Sequence, residues 1–131
     1  MRPLRAIWRI AAAVPLVLAT SAPAPVWAHH SVLPFDNAHG TTLHGVVANV
    51  RWQNPHVLVA LDVAAAGGAV TRWTVESESP NVLGALGWSQ DALAAGARVT
   101  ALGAAAKDGS RALRCKEIAL DGGRVLPCFA R

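Results

Sequence analysis

The chain has 131 residues, with twelve Lys plus Arg against eight Asp plus Glu, a formal net charge of +4, 53% hydrophobic residues and only two cysteines. This length suits one domain. Arg2, Arg5 and Arg9 supply three of the surplus positive charges. Without them the net charge is +1, which gives little reason to expect nucleic acid or an acidic membrane surface as partner.

Residues 1–28 have the three-part plan of a secretory signal peptide. MRPLRAIWR is basic, IAAAVPLVLAT is apolar, and SAPAPVWA ends in the small-x-small pattern Val26-Trp27-Ala28. The apolar run is shorter than the roughly 20 residues that a membrane-spanning helix needs. Cleavage after Ala28 is therefore expected, giving a periplasmic or secreted protein of 103 residues (131 less 28) without a mature transmembrane segment.

Residues 29–42, containing His29, His30 and His39, show little periodicity and read as an N-terminal arm, leaving 43–131 as the folded domain. In LHGVVANVRW (43–52) alternation places Val46, Ala48, Val50 and Trp52 on one face of a strand. QNP (53–55) is turn chemistry. HVLVALDV (56–63) is a second strand, with Val57, Val59, Leu61 and Val63 in phase, and VTRWTVE (70–76) is a third. Ser79 then reads as a helix N-cap and Pro80 as the first helical position, with Gly87 ending that turn. A second short helix is expected from Ser89 to Gly96. RVTALGAAA (98–106) and ALRCKEIAL (112–120) follow as strands, and RVLPCF (124–129) closes the chain. Between Cys115 and Ile118 the apolar phase switches, the mark of a β-bulge.

Three strands, a short helical segment, then two or three strands is the order of a small OB-fold-like Greek-key barrel. The fold class expected is mainly β, with five or six strands. Its core is expected to contain Val46, Val50, Val57, Val59, Leu61, Trp73, Val75, Leu83, Leu86 and Val99.

Several segments carry a family resemblance: AHHS (28–31), RWQNPHV (51–57), Trp73-Thr-Val-Glu, SPNVLGALGW (79–88), and Leu93-x-x-Gly96-x-x-Val99-Thr100-x-x-Gly103. With these the chain resembles the domain of unknown function 6152 family of short, secreted bacterial proteins, over roughly residues 28–126. R-W-x-N-P-H and G-W are the most specific pieces. The resemblance implies a secreted β-rich domain of unassigned activity. It lends no catalytic residues and does not bear on Cys115 and Cys128.

The candidate chemistry starts at the mature terminus. A cut before His29 gives that residue a free amine beside its imidazole, a chelating pair. His30 adds an imidazole or a deprotonatable amide. Nitrogen donors in such an array favour Cu(II). His56 is the best candidate for a third ligand, although a turn histidine bonded to backbone is its commoner role, and a frayed terminus is the commoner role of His29 and His30. No H-E-x-x-H or C-x-x-C spacing is present. His44 is expected to lie too far along its strand to share an ion with His56. The serines fit no nucleophile elbow, and Glu76 and Glu78 make no argued carboxylate pair, so no enzyme is expected.

Trp52, Trp73 and Trp88 could offer a stacking platform, though core roles suit them better. Arg51 and Arg72 are expected to share a solvated face. Cys115 and Cys128 are expected to pair in an oxidising compartment. A two-residue Asp121-Gly122 turn would set them directly opposite each other, whereas a three-residue turn or a bulge would oppose Lys116 to Cys128 instead. Free thiols acting as soft metal ligands are the rival reading. The function expected is a non-enzymatic binding or accessory domain for a small ligand or an envelope protein. The alternatives are a structural interaction module of the envelope, or a sugar- or nucleotide-binding OB-type module.

Overall fold

The computed structural model of the chain describes residues 34–130. His29 and His30, and the proposed cleavage site, lie outside them. The described elements run β1 (Phe35–Arg51), β2 (Leu58–Ala64), β3 (Val70–Glu76), α1 (Pro80–Ala85), β4 (Arg98–Ala106), β5 (Ala112–Leu120) and β6 (Val125–Pro127). The strands lie in the order β3-β2-β1-β4-β5-β6, and a parallel β3–β5 pairing closes the first five into a barrel. This is the OB-like arrangement expected, with one short helix between β3 and β4.

Each regular element has a local cause. β2 and β3 pair over seven residues without a register break, from Leu58 opposite Glu76 to Ala64 opposite Val70. Simple alternation therefore sends Val57, Val59, Leu61 and Val75 inward, each 0% exposed. Ser79 caps α1, its hydroxyl accepting a bond from the Val82 amide, and Pro80 opens the helix. Gly87, at φ 89°, ends that turn in the left-handed region, where a side chain would be strained.

The helix buries Leu83 against the barrel, with Trp88, Ala92 and Leu93 beside it. Residues 89–96 are not helical as expected. A bond from the Ala92 amide to the Ser89 carbonyl makes one isolated turn, and Gly96 at φ 88° closes another.

β1 departs most from simple alternation. It begins at Phe35, so residues 35–42 are strand and not arm. Phe35 stands opposite Ala106 and Gly40 opposite Ala104. Five steps along β1 thus match two along β4, and residues 36–39 leave the ladder. A second shift falls between Val47 and Asn49. It moves the inward phase from Leu43 and Val47 to Val50. Val46, expected in the core, is therefore only half-buried, and Val47 takes its place at 1% exposure. Gly45 has a further reason: a Cβ there would stand 2.6 Å from the Asp62 carbonyl oxygen and 2.8 Å from Leu61 Cγ. Val50, Trp73 and Leu86 are partly buried and pack against the core from its margin.

The expected bulge in β5 is present. Leu102 faces Glu117, whereas Gly103 faces Cys115, leaving Lys116 as the extra residue. At this point β5 changes partners. Ala112–Arg114 pair with β3, and Glu117–Ala119 pair with β6. Edge amides and carbonyls beyond the end of β3 are thereby covered by the last strand.

The β5–β6 hairpin has a three-residue turn, Asp121–Gly123, and not the expected two-residue one. The Leu120 amide bonds to the Arg124 carbonyl and the Gly123 amide to the Leu120 carbonyl, each at 2.9 Å. Gly123 takes φ 83°, the left-handed position that three-residue hairpin loops need. The register moves by one residue, and the Cys128 amide bonds to the Lys116 carbonyl. The disulfide forms nevertheless: Cys115 and Cys128 are bonded, with Cα atoms 5.6 Å apart and both residues 0% exposed. Because Lys116 is the bulged residue, Cys115 still points into the core beside the last strand. Free-thiol ligation by these two residues is thereby ruled out in this structure.

Candidate functional site

The outer face of β1, β2 and β3 is built by the residues alternating with the core. Arg51 pairs with Leu58, which pairs with Glu76; Asn49 pairs with Ala60, which pairs with Thr74. Of these, Asn49, Arg51, Leu58, Ala60 and Thr74 line a depression on the barrel wall. At its end runs the β1–β2 loop. Gln53, Asn54, Pro55 and His56 are all exposed, and the Asn54–Pro55 bond is cis.

Two polar pairs mark this face. His56 Nδ1 contacts the Glu76 carboxylate. The contact orients the imidazole ring, and the His56 side chain stays exposed to solvent. Further along, Arg72 donates two bonds to Asp62, at 2.8 and 2.9 Å. Hydrogen bonding to Arg72 holds the Asp62 carboxyl below its ordinary range and raises the guanidinium in turn. Arg51 and Arg72 do share the solvated face, but only Arg72 is paired there with a carboxylate.

The remaining histidines are dispersed. His39 Nδ1 lies 2.9 Å from Asp36 Oδ2, in the segment that leaves the ladder. The bond to His39 is the main cause of a lowered Asp36 pKa. His44 Nδ1 lies 3.0 Å from Thr100 Oγ1 on the neighbouring strand, at the other end of β2 from His56. Among the described residues no group of three or more His, Cys, Asp or Glu side chains is placed to hold a metal ion. His56 thus stands with Glu76.

The tryptophans do not gather on the outer face. Trp88 is 5% exposed, donates from Nε1 to the Pro127 carbonyl at 2.8 Å, and lies 6.4 Å from the Trp52 ring. Trp73, opposite Leu61, packs against the core margin. Ser77 is 2% exposed, and its hydroxyl has no hydrogen-bond partner among the described residues. Sequence reasoning missed the His56–Glu76 pairing. Its signal was present, since Glu76 ends the strand that pairs with the one His56 leads into.

The profile of a family of unknown function, DUF6152, matches residues 16–114, and the chain belongs to that family. A search of curated proteins finds no match. The matched region contains the Arg51–His56 loop and stops one residue short of Cys115, so the disulfide lies outside it. No helix among the described residues is long and apolar enough to cross a membrane.

Proposed function

We propose that the chain acts after export as a non-enzymatic binding or accessory barrel, with the Arg51–His56 loop and the adjoining face of β1–β3 as its recognition surface. One observation carries this reading. The most specific piece of the family resemblance, R-W-x-N-P-H, is spent largely on exposed loop residues, with only Trp52 half-buried. Packing does not account for Arg51, Asn54 and His56, which meet solvent. Exposed loop residues on a rigid scaffold are where binding groups are commonly carried, and this loop and face are the positions through which OB barrels take ligands. Export is supported by the signal-peptide pattern, and the disulfide is compatible with an oxidising compartment.

The ligand proposed from the sequence is Cu(II), bound at a mature terminus that begins at His29. The His29 amine and imidazole chelate the ion, with His30 assisting. Because those donors must be deprotonated, affinity falls as pH falls. The test compares two proteins, one starting at His29 and one carrying an additional alanine before it. The first is expected to bind Cu(II) more tightly and with a distinct visible spectrum. Equal affinity and identical spectra would remove the terminal-amine site. His56→Ala in the native-terminus protein then reports whether the loop histidine takes part.

A further inference from the structure

The Cys115–Cys128 disulfide, the looped-out segment of β1 and the β5 bulge meet around a cleft of about 490 Å³, on a different part of the barrel wall from the Arg51–His56 loop. We propose that this cleft binds a small carboxylate with an apolar body.

The shape of the cleft follows from departures of two strands from regular pairing. Residues 36–39 leave the β1–β4 ladder, and Lys116 leaves the β4–β5 ladder. Between them the lining includes Gly40 of β1 and Gly103 and Ala104 of β4. Gly40 has no side chain, and a Cβ at that position would meet only Leu102 Cδ1, at 3.9 Å. Ala104 adds a methyl group. Gly103 must remain a glycine, since a Cβ there would stand 2.1 Å from the Arg114 carbonyl oxygen. Beyond the disulfide the chain returns over β5, where Phe129 forms a wall. The volume falls within the range of small-molecule sites, which combine an apolar lining with a few placed polar groups.

The charges select the ligand. Arg114 and Lys116 both line the cleft and are exposed. The ion pairs among the described residues are His39–Asp36, His56–Glu76 and Arg72–Asp62, so neither cation has a carboxylate partner there. The Arg114 guanidinium is held 5.1 Å from the centroid of the Phe129 ring, which orders it without neutralising it. Asp36 also lines the cleft, and its oxygens accept bonds from the Ala38 amide at 3.2 Å and His39 Nδ1 at 2.9 Å. Two unpaired cations beside Phe129 and Leu102 suit a ligand with a carboxylate at one end and an apolar ring or chain at the other. The planar fork of Arg114 can take both carboxylate oxygens, while Lys116 adds a point charge.

Amide NMR titration of the disulfide-bonded protein with benzoate, and in parallel with uncharged benzamide, tests this. Benzoate is expected to give saturable shifts centred on Gly40, Gly103, Arg114 and Lys116, and benzamide is not. Arg114→Gln and Lys116→Gln should each weaken benzoate binding by about tenfold, the order of one lost charge-assisted bond. Gly40→Val, a substitution that open space and an ordinary φ permit, should abolish binding while leaving a dispersed spectrum. Equal responses to benzoate and benzamide would overturn the proposal. So would an absence of saturable shifts up to the solubility of benzoate, or shifts centred elsewhere. The additional alanine before His29 should leave benzoate binding unchanged, so failure here is separable from failure of the copper reading.

Discussion

The β2–β3 ladder and the seam formed by β1, β4, β5 and β6 are both built on alternating apolar residues, yet they behave differently. In the ladder, seven consecutive pairs keep one phase, with Val59, Leu61 and Val75 buried and Val63 and Trp73 packed against the core margin. Along the seam, each of the two long strands inserts extra residues, and side chains that would face one way face another. The ladder makes a rigid wall. The seam makes a cleft, a disulfide and a change of partner along one strand edge. In this barrel, regular pairing supplies the scaffold and broken pairing supplies concavity, in keeping with the placement of bulges beside sites in other sheets.

The largest expected effect lies in the ladder. Leu61 is 0% exposed at its centre. Leu61→Ala should cost about 3–4 kcal/mol, because buried leucine truncations lose transfer energy and leave a cavity that neighbours fill only in part. Val46, displaced from the core by the shift at Val47/Asn49, should cost less than about 1 kcal/mol on truncation to alanine. Urea melts of both variants check the contrast. Equal losses would mean that the phase of β1 does not shift where the register places the shift.

The same contrast explains how far the sequence could be read. Alternation in Val57, Val59 and Leu61 was legible because period 2 continues unbroken, and Ser79-Pro80 was legible because capping is local chemistry. The boundaries of β3, β4 and β5 follow from the same kind of signal. Val46 was misplaced because a bulge reverses the face of everything beyond it, and an Ala-Asn pair gives no local sign of one. Phe35 was hidden inside an apparent arm for a related reason: four looped-out residues break the period before the strand resumes. At the hairpin, Asp-Gly-Gly fits both a two-residue and a three-residue turn, and only the left-handed Gly123 decides between them. The disulfide was anticipated correctly although its assumed register was wrong, because the bulged Lys116 keeps Cys115 facing inward. Of the candidate site, the Arg51–His56 loop could be found from its turn chemistry, whereas the His56–Glu76 contact and the cleft beside Phe129 depend on pairings between distant segments.

The seam should depend on its covalent link in a way that the ladder does not. Replacing Cys115 and Cys128 together by alanine removes a cross-link spanning 13 positions in sequence. On the chain-entropy account this costs about 2–3 kcal/mol. The loss should be uneven. Hydrogen exchange is expected to accelerate most at the β6 and Cys128 amides, with β2 and β3 amides following only the global change. Uniform acceleration across all strands would show that seam and ladder open as one unit, and the distinction between them would fail for stability while surviving for geometry.

The smallest expected effect lies on the outer face of the ladder. Asp62 is held below its ordinary pKa first by its hydrogen bonds to Arg72 and then by the charge of that guanidinium. A carboxyl that is more acidic when folded than when unfolded adds stability above its unfolded pKa. That contribution is lost as pH falls through the folded value. The ladder should therefore carry a small increment at neutral pH that is absent in strong acid. Both groups lie at the surface, so the increment is modest and weakens with salt. Arg72→Gln should return the Asp62 carboxyl toward its ordinary range, as read from its side-chain carbonyl shift during an acid titration. It should lower the urea midpoint slightly at neutral pH and not at all once Asp62 is protonated. An unmoved Asp62 titration in that variant would show that the pair makes no electrostatic contribution, leaving the apolar inner face of the ladder as the whole source of its regularity.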